Sequence, residues 1–356
     1  MSVTKPRILI PSGAGAPGFG GIIHCLKERD FAYVVAGDSN EHVYGQSLAD
    51  QFFLMPPSSE EEKYLSKVKQ IIVEQKIDLV LPITTRELSV LSKHKEVLEA
   101  LGTKVIVSDL KNLTIANNKG LLKNWAEKQQ IPVPKGSVVR NWSQFETEAQ
   151  NLLNQNQKVC FKPIEGNGSR GLGFVALEEH LTYSNNKPGG IWMTITEWKL
   201  RLERAFNDGL ELLLTEYLPG KEYSVDVLVN QNEVLLCVPR SRDKMIGGIS
   251  VSGVIEENEI LIELTNKLVL GLGLEGPIGV QWKADQQGNY KLLEINPRLQ
   301  GTTSALLLAG VNVPQKTVKH YLGMDDNQLV EPKWGTRFSR FWKDVGISYY
   351  LRDHYE

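Results

Sequence analysis

Residues 276–298 read Gly-Pro-Ile-Gly-Val-Gln-Trp-Lys-Ala-Asp-Gln-Gln-Gly-Asn-Tyr-Lys-Leu-Leu-Glu-Ile-Asn-Pro-Arg. The polar stretch Gln286-Gln287-Gly288-Asn289 predicts a turn, so Gly276–Ala284 and Tyr290–Ile295 form a hairpin. Glu294 and Asn296 occupy alternate positions of the second strand and share a face. Gln281 lies on the partner strand. Leu292, Leu293 and Ile295 mark the opposite, buried face, which argues against a merely solvated strand. Three oxygen-bearing side chains on neighbouring strands suit Mg²⁺, which prefers hard oxygen donors and shares its shell with phosphate and water. Arg298 continues the alternation. An always-charged fork at that point suits a transferring phosphoryl group or an acyl phosphate.

Upstream, Lys162 ends the apolar strand Val159-Cys160-Phe161-Lys162, ahead of the loop Gly166-Asn167-Gly168-Ser169-Arg170-Gly171-Leu172-Gly173. A lysine on such a strand needs an anion or a route to water. The glycines after it let backbone N–H groups turn towards phosphates. The lysine precedes the glycines, so this is not a Walker A loop. A snorkelling lysine beside a flexible hairpin is the competing reading. Farther on, Glu216-Tyr217-Leu218-Pro219-Gly220-Lys221-Glu222 places an acid at the end of one strand and another at the start of the next. Such a connection offers backbone groups to an adenine edge and a carboxylate to ribose hydroxyls, although an ordinary hairpin reads the same way.

The first hundred residues alternate short apolar strands (Arg7–Pro11, Tyr33–Ala36, Asp78–Pro82, Lys104–Ser108) with helices at about Gly20–Asp30, Glu60–Gln75 and Glu87–Leu101. That order implies a parallel sheet covered on both faces. Gly13-Ala14-Gly15-Ala16-Pro17-Gly18 follows the first strand, and Asp38 lies about 20 residues on, as in the dinucleotide fingerprint. The motif fits an NAD site, and it equally fits a tight strand-to-helix turn.

The middle of the chain changes character. A helix at Lys119–Gln129 ends in Ile131-Pro132-Val133-Pro134, which cannot stay helical. A strand at Gln157–Pro163, a return strand at Phe174–Leu177, a polar loop at Thr182–Gly190 and a charged helix at Thr196–Phe206 follow. Strands at Glu211–Tyr217, Glu222–Val229 and Val234–Val238 then precede a loop carrying Arg240, Arg242, Lys244 and Gly247-Gly248, and a helix at Glu257–Leu270. The fold class expected is α/β. Residues 1–110 form a Rossmann-like parallel-sheet domain, residues 111–210 a linking helix and lid subdomain, and residues 211–356 an antiparallel α+β subdomain with an aromatic tail from Trp334.

Composition narrows the function. The 356 residues carry a formal net charge of −2, which gives no electrostatic footprint for nucleic acid. No apolar run approaches the length of a bilayer span and the N-terminus lacks a signal-peptide pattern, so a cytoplasmic protein is expected. Cys25, Cys160 and Cys237 have no metal or disulfide spacing. None of the six histidines falls in the motifs.

In this order, from Arg7 to about Glu331, these pieces resemble the ATP-grasp superfamily. They look nearest to its stand-alone members similar to the modules of the carbamoyl phosphate synthetase large subunit. The resemblance implies a Rossmann-like domain followed by an ATP-grasp fold of two α+β subdomains with antiparallel sheets. It implies ATP and Mg²⁺ (or Mn²⁺) as cofactors. It assigns nucleotide contacts to Lys119, Lys162, Gly168, Ser169, Glu216, Tyr217, Leu218 and Glu222. The metal set is Gln281, Glu294 and Asn296, with a glutamine where many relatives carry glutamate. Arg298 and Lys162 take the catalytic positions, Arg298 steadying an acyl phosphate. Candidate substrate contacts are Glu87, beyond the strand at Asp78–Pro82, and Arg240, Arg242 and Thr302. The reaction implied joins a small-molecule carboxylate to an amine, releasing ADP and phosphate. The alternatives are a kinase-like or carboxylase-like enzyme using bicarbonate or a single acceptor, and a non-catalytic nucleotide-binding protein. No nucleic-acid or membrane partner is expected, and a homodimer is the base expectation. The family's first domain carries a glycine loop without needing dinucleotide, which accounts for Gly13–Gly18.

Overall fold

The computed structural model describes residues 5–156, 158–166, 171–178, 191–324 and 330–346. Gly168, Ser169 and the polar loop at Thr182–Gly190 lie outside the described residues.

The chain opens with β1 (Arg7–Ile10), α1 (Phe19–Lys27), β2 (Tyr33–Asp38), β3 (Gln51–Leu54), α2 (Glu61–Gln75), β4 (Leu79–Val80), α3 (Thr85–Lys93), α4 (Lys95–Glu99) and β5 (Lys104–Val105). The strands pair in parallel in the order β3-β2-β1-β4-β5. The expected helix at Glu87–Leu101 breaks into α3 and α4 at His94. Each short strand feeds both faces of the sheet. Ile8 and Ile10 enter a core shared with α1 and with Leu299, Leu306 and Val313 from the far end of the chain. Leu9, between them, enters a second core with α2 and α3. At ~1.5–3 kcal/mol per fully buried aliphatic side chain, the first core couples the two ends of the chain firmly.

Next come α5 (Leu110–Asn117), α6 (Lys119–Lys128), β6 (Gly136–Val139), α7 (Trp142–Asn156), β7 (Lys158–Pro163), β8 (Gly173–Ala176), β9 (Ile191–Met193), α8 (Ile195–Asn207) and β10 (Leu212–Glu216). A second sheet runs β6-β10-β7-β8-β9, with α7 and α8 packed on it. The rest comprises β11 (Glu222–Asn230), β12 (Glu233–Ser241), β13 (Lys244–Ile246), β14 (Ile249–Val254), α9 (Glu259–Gly271), β15 (Gly276–Ala284), β16 (Tyr290–Asn296), a 3₁₀ segment at Thr303–Ala309, α10 (Val313–Tyr321) and β17 (Arg337–Ser339). The antiparallel sheet β12-β11-β15-β16 is the third, and β13-β14-β17 the fourth. Among the described residues no helix is long and apolar enough to cross a membrane.

The third sheet has two opposite faces. Tyr223, Val225, Val227, Val280, Trp282 and Ile295 enter a core with α6 and α9. The alternate positions are polar and lie in rows across the strands. Arg240 faces Ser224, Ser224 faces Gln281, and Gln281 faces Glu294. In the next row Asp226 faces Gly279, and Gly279 faces Asn296. Gly279 is required there, because a Cβ would lie 2.0 Å from the Gln300 side chain.

The glycine loop after β1 is accounted for by packing. Gly13 has φ +92°, in the left-handed region, and a Cβ there would meet Thr84 Cγ2 at 2.5 Å. Gly15 N donates to Asp38 Oδ2 at 2.9 Å, so the acid of the fingerprint spacing closes its own loop. A Cβ on Gly18 would lie 2.4 Å from the Gly301 Cα. The loop is thus pressed against the C-terminal segment.

Gly18 has φ −91°, open to any residue, so only the contact with Gly301 opposes a side chain. Gly18→Ala is expected to lower unfolding stability by about 1–3 kcal/mol in urea titrations, the range typical of overpacking.

Candidate active site

A cleft of ≈ 280 Å³ lies between the second and third sheets. Its lining brings together Lys119, Lys162, Gly166, Glu216, Tyr217, Leu218, Glu222, Arg242, Gln281 and Glu294, all expected from sequence to face nucleotide, metal or substrate. The chain positions them from α6, the β7–β8 hairpin, the β10–β11 connection and the polar face of the third sheet.

The pairing of β15 with β16 carries a bulge. Gln281 faces Glu294 while Trp282 faces Leu292, so Leu293 is an extra residue on β16. Leu293 was expected on the buried face with Leu292 and Ile295, but it lines the cleft instead. The irregularity leaves its carbonyl to accept from Lys162 Nζ at 2.9 Å. The neighbouring Leu292 N donates to Pro132 O at 2.8 Å, which ties the extended Ile131–Pro134 stretch to the same strand. Lys119 Nζ donates to Gly166 O at 2.8 Å. Burial lowers the Lys119 pKa, and the Glu294 carboxylate pulls it back up. Lys162 also bears on Lys119 with a like charge.

Beside Glu294, Asn296 Nδ2 donates to Glu294 Oε1 at 3.1 Å, and Arg298 Nη2 donates to Asn296 Oδ1 at 3.1 Å. Arg298 Nε reaches the first domain, donating to Thr85 Oγ1 at 3.2 Å. Burial lowers the Arg298 pKa, against the pull of Glu294 and Glu87. Among the described residues no three His, Cys, Asp or Glu side chains cluster as metal ligands. A cation here would therefore rest on the Glu294 carboxylate and on amide oxygens of Gln281 and Asn296. That set fits a hard divalent ion completing its shell with phosphate and water, and it is too poor in charge to cage such an ion by itself.

Several expected contacts are differently employed. The Glu216 carboxylate accepts from Lys135 N at 2.9 Å. Glu222 lies 2.9 Å from Arg242 Nε and 3.5 Å from Lys283 Nζ. The Arg242 contact is an ion pair without hydrogen-bond alignment, since Nε is buried and unpaired by angle. Arg242 Nη2 also donates to Gly248 O at 2.8 Å, drawing the β13–β14 turn over the cleft.

Three expected substrate contacts are placed elsewhere. Arg240 is not on a loop. The strand β12 continues through Pro239 to Ser241, because β12 is an edge strand of its sheet and tolerates proline. Arg240 is 1% exposed and pairs with Asp226 at 2.8 Å. Glu87 is fully buried in the capping box of α3, where Oε1 accepts from Ile83 N, Thr84 N and Thr84 Oγ1 and Oε2 accepts from Tyr64 OH. Thr302 is buried at the 3₁₀ segment, where Arg340 reaches its hydroxyl.

Two cleft groups escaped the sequence reading. Lys283 stands two residues after Gln281 on the same face, with Nζ 5.6 Å from the Tyr217 ring centroid. The alternation that singled out Glu294 and Asn296 would have found it. Cys160 also faces the cleft, and burial pushes its thiol up to about 11, so it stays protonated and unreactive at neutral pH.

Sheets, cleft and polar rows together define an ATP-grasp architecture behind a doubly wound α/β domain. Comparison with known families agrees. Residues 209–343 match the family described as ATP-grasp in the biosynthetic pathway with Ter operon, and residues 20–106 match the PylC-like N-terminal domain. The chain is thus similar to ATP-grasp proteins over residues 209–343. N5-carboxyaminoimidazole synthetase from Staphylococcus aureus, solved with ADP, superposes with a TM-score of 0.68 at 15% identity, over 93% of this chain and 81% of that one. L-amino acid ligase from Bacillus licheniformis gives 0.65 at 15%, over 93% and 78%. Biotin carboxylase from Campylobacter jejuni gives 0.66 at 17%, over 92% and 72%. At these identities the likeness speaks for the fold.

Glu87→Gln can keep one oxygen for the Ile83 and Thr84 donors, but then turns an NH2 group towards the Tyr64 hydroxyl that the carboxylate accepts from. The variant is expected to lose about 1–3 kcal/mol of unfolding stability while its ATP affinity, measured by calorimetry, stays within about twofold of wild type.

Proposed function

We propose that the protein is an ATP-dependent carboxylate–amine ligase working through an acyl phosphate. The observation that carries this reading is the convergence of Lys119, Lys162 and Glu294 in one cleft, with Arg298 joined to Glu294 through Asn296 and to the first domain through Thr85. A nucleotide site alone would not need a guanidinium bridging metal residues and a second domain.

In this reading the adenine lies against Tyr217 and Leu218 and reads the backbone there, while Glu222 meets the ribose. Lys119 and Lys162 neutralise the phosphates, with Gly168 and Ser169 as the further contacts the sequence resemblance assigns. Gln281, Glu294 and Asn296 would hold Mg²⁺ or Mn²⁺, which supplies charge neutralisation at the triphosphate. Arg298 orients the acid so that a carboxylate oxygen faces the γ-phosphorus in line. The carboxylate oxygen bonds to phosphorus as ADP leaves, and the amine then adds to the carbonyl carbon and expels inorganic phosphate. The protein contributes position and charge, with no nucleophile of its own. The β13–β14 turn, held by Arg242, keeps water from the mixed anhydride. The names of the solved relatives, a synthetase, an amino acid ligase and a carboxylase, agree with activation of a carboxylate.

Thermal unfolding tests the reading. ATP with Mg²⁺ is expected to stabilise the wild type by about 2.7 kcal/mol at a hundredfold excess over Kd, Mg²⁺ alone to do nothing measurable, and Glu294→Ala to lose the Mg²⁺-dependent part. Phosphate release should then require an acid and an amine together. Stabilisation by NAD and not by ATP would refute the proposal.

A further inference from the structure

A pair of arginines lies at the seam between the first domain and the last strand, outside the nucleotide cleft. Arg340, one residue beyond β17, donates from Nη2 to Pro17 O at 3.3 Å and from Nη1 to Thr302 Oγ1 at 3.5 Å. Both acceptors are neutral and both bonds are long. Among the described residues no carboxylate pairs with Arg340. Behind it stands Arg240. Its Nε is held by Asp226, but its buried Nη1 has no hydrogen-bond partner among the described residues. The other oxygen of Asp226 accepts from the Thr303 hydroxyl. Burial first, and then the Arg240 charge, hold the Arg340 guanidinium below its usual range. Arg340 is thus left without a counter-charge among the described residues and Arg240 with an unpaired Nη1, and an anion would satisfy both.

The position of the seam indicates which anion. Pro17 belongs to the loop after β1, and Thr85, the partner of Arg298, follows β4. These strands are neighbours in the parallel sheet. Ligands of open α/β sheets sit at this carboxyl edge. Arg298 and Arg340 therefore both reach connections at this edge from the C-terminal half, Arg340 at the loop after β1 and Arg298 at the start of α3 after β4.

We infer that Arg340, backed by Arg240, binds a second anionic group of the acid whose reacting carboxylate faces Arg298, so that the acid substrate is a dianion, either a dicarboxylate or a phosphorylated acid. The inference rests on the ligase reading for the role of Arg298.

Calorimetric titration of the full chain in ADP–Mg²⁺ with glutarate, phosphoglycolate and butyrate tests it, alongside Arg340→Gln and Arg340→Lys. At least one dianion should bind about tenfold or more tightly than butyrate. Arg340→Gln should erase that preference while leaving butyrate affinity, ADP affinity and the melting temperature unchanged, and Arg340→Lys should keep part of it. Preference for glutarate or for phosphoglycolate identifies the second group as carboxylate or phosphate. Equal binding of all three acids, or a preference that survives Arg340→Gln, overturns the inference. Phosphate release from ATP is measured separately. An Arg340-dependent preference for a dianion without any release stimulated by acid and amine together would sink the ligase reading and leave the anion site standing.

Discussion

Strict alternation along β11, β15 and β16 of the third sheet, interrupted once, is the constraint on which the site depends. Every second residue of β11, β15 and β16 is apolar and locked into a core with α6 and α9. The residues between them form the opposite face, polar at Ser224, Asp226, Gln281, Lys283, Glu294 and Asn296, in rows set by the strand register. Slipping that register by one residue would bury Glu294 and Gln281 and expose Trp282. The single break, at Leu293, keeps Leu292 against Trp282 while Glu294 stays opposite Gln281. It also turns the Leu293 carbonyl towards Lys162. A side chain from the second sheet is thereby tied to the backbone of the third, and the cleft has its two walls at a set distance.

The second requirement is that the first domain stay docked. Ile8 and Ile10 share their core with Leu299, Leu306 and Val313, and glycines 18 and 301 bring two backbones into close approach. The segment from Arg298 to Thr303 lies in that joint. Arg298 therefore has one end at Asn296 in the polar row and the other at Thr85, the first residue of α3. In the proposed reaction this joint would hold the acid against the phosphate.

Much of this was legible in the sequence because it depends on local periodicity. The hairpin around Gly288, the shared face of Glu294 and Asn296, and the alternating first domain follow from spacings of two residues and from strand–helix order. What was not legible depends on long-range contacts. A glutamate shortly past a strand at the carboxyl edge of a parallel sheet looks like a ligand contact, yet Glu87 meets Tyr64, 23 residues away, and is consumed as a cap. Pro239 looks like a strand end, yet an edge strand absorbs it and carries Arg240 inward. The helix at Trp142–Asn156 was passed over although Trp142, Phe145, Ala149 and Leu152 keep helical spacing, because polar residues fill the other positions. A bulge such as that at Leu293 has no mark of its own in one sequence.

The central claim is that the acid's carboxylate attacks the γ-phosphorus, and the most direct test follows oxygen. With an acid substrate labelled by ¹⁸O in both carboxylate positions and turned over with ATP and the amine, mass spectrometry of the phosphate released should find one ¹⁸O per phosphate and one in the amide. Phosphate free of ¹⁸O, with product formed, would show that the carboxylate is never phosphorylated and would contradict the account.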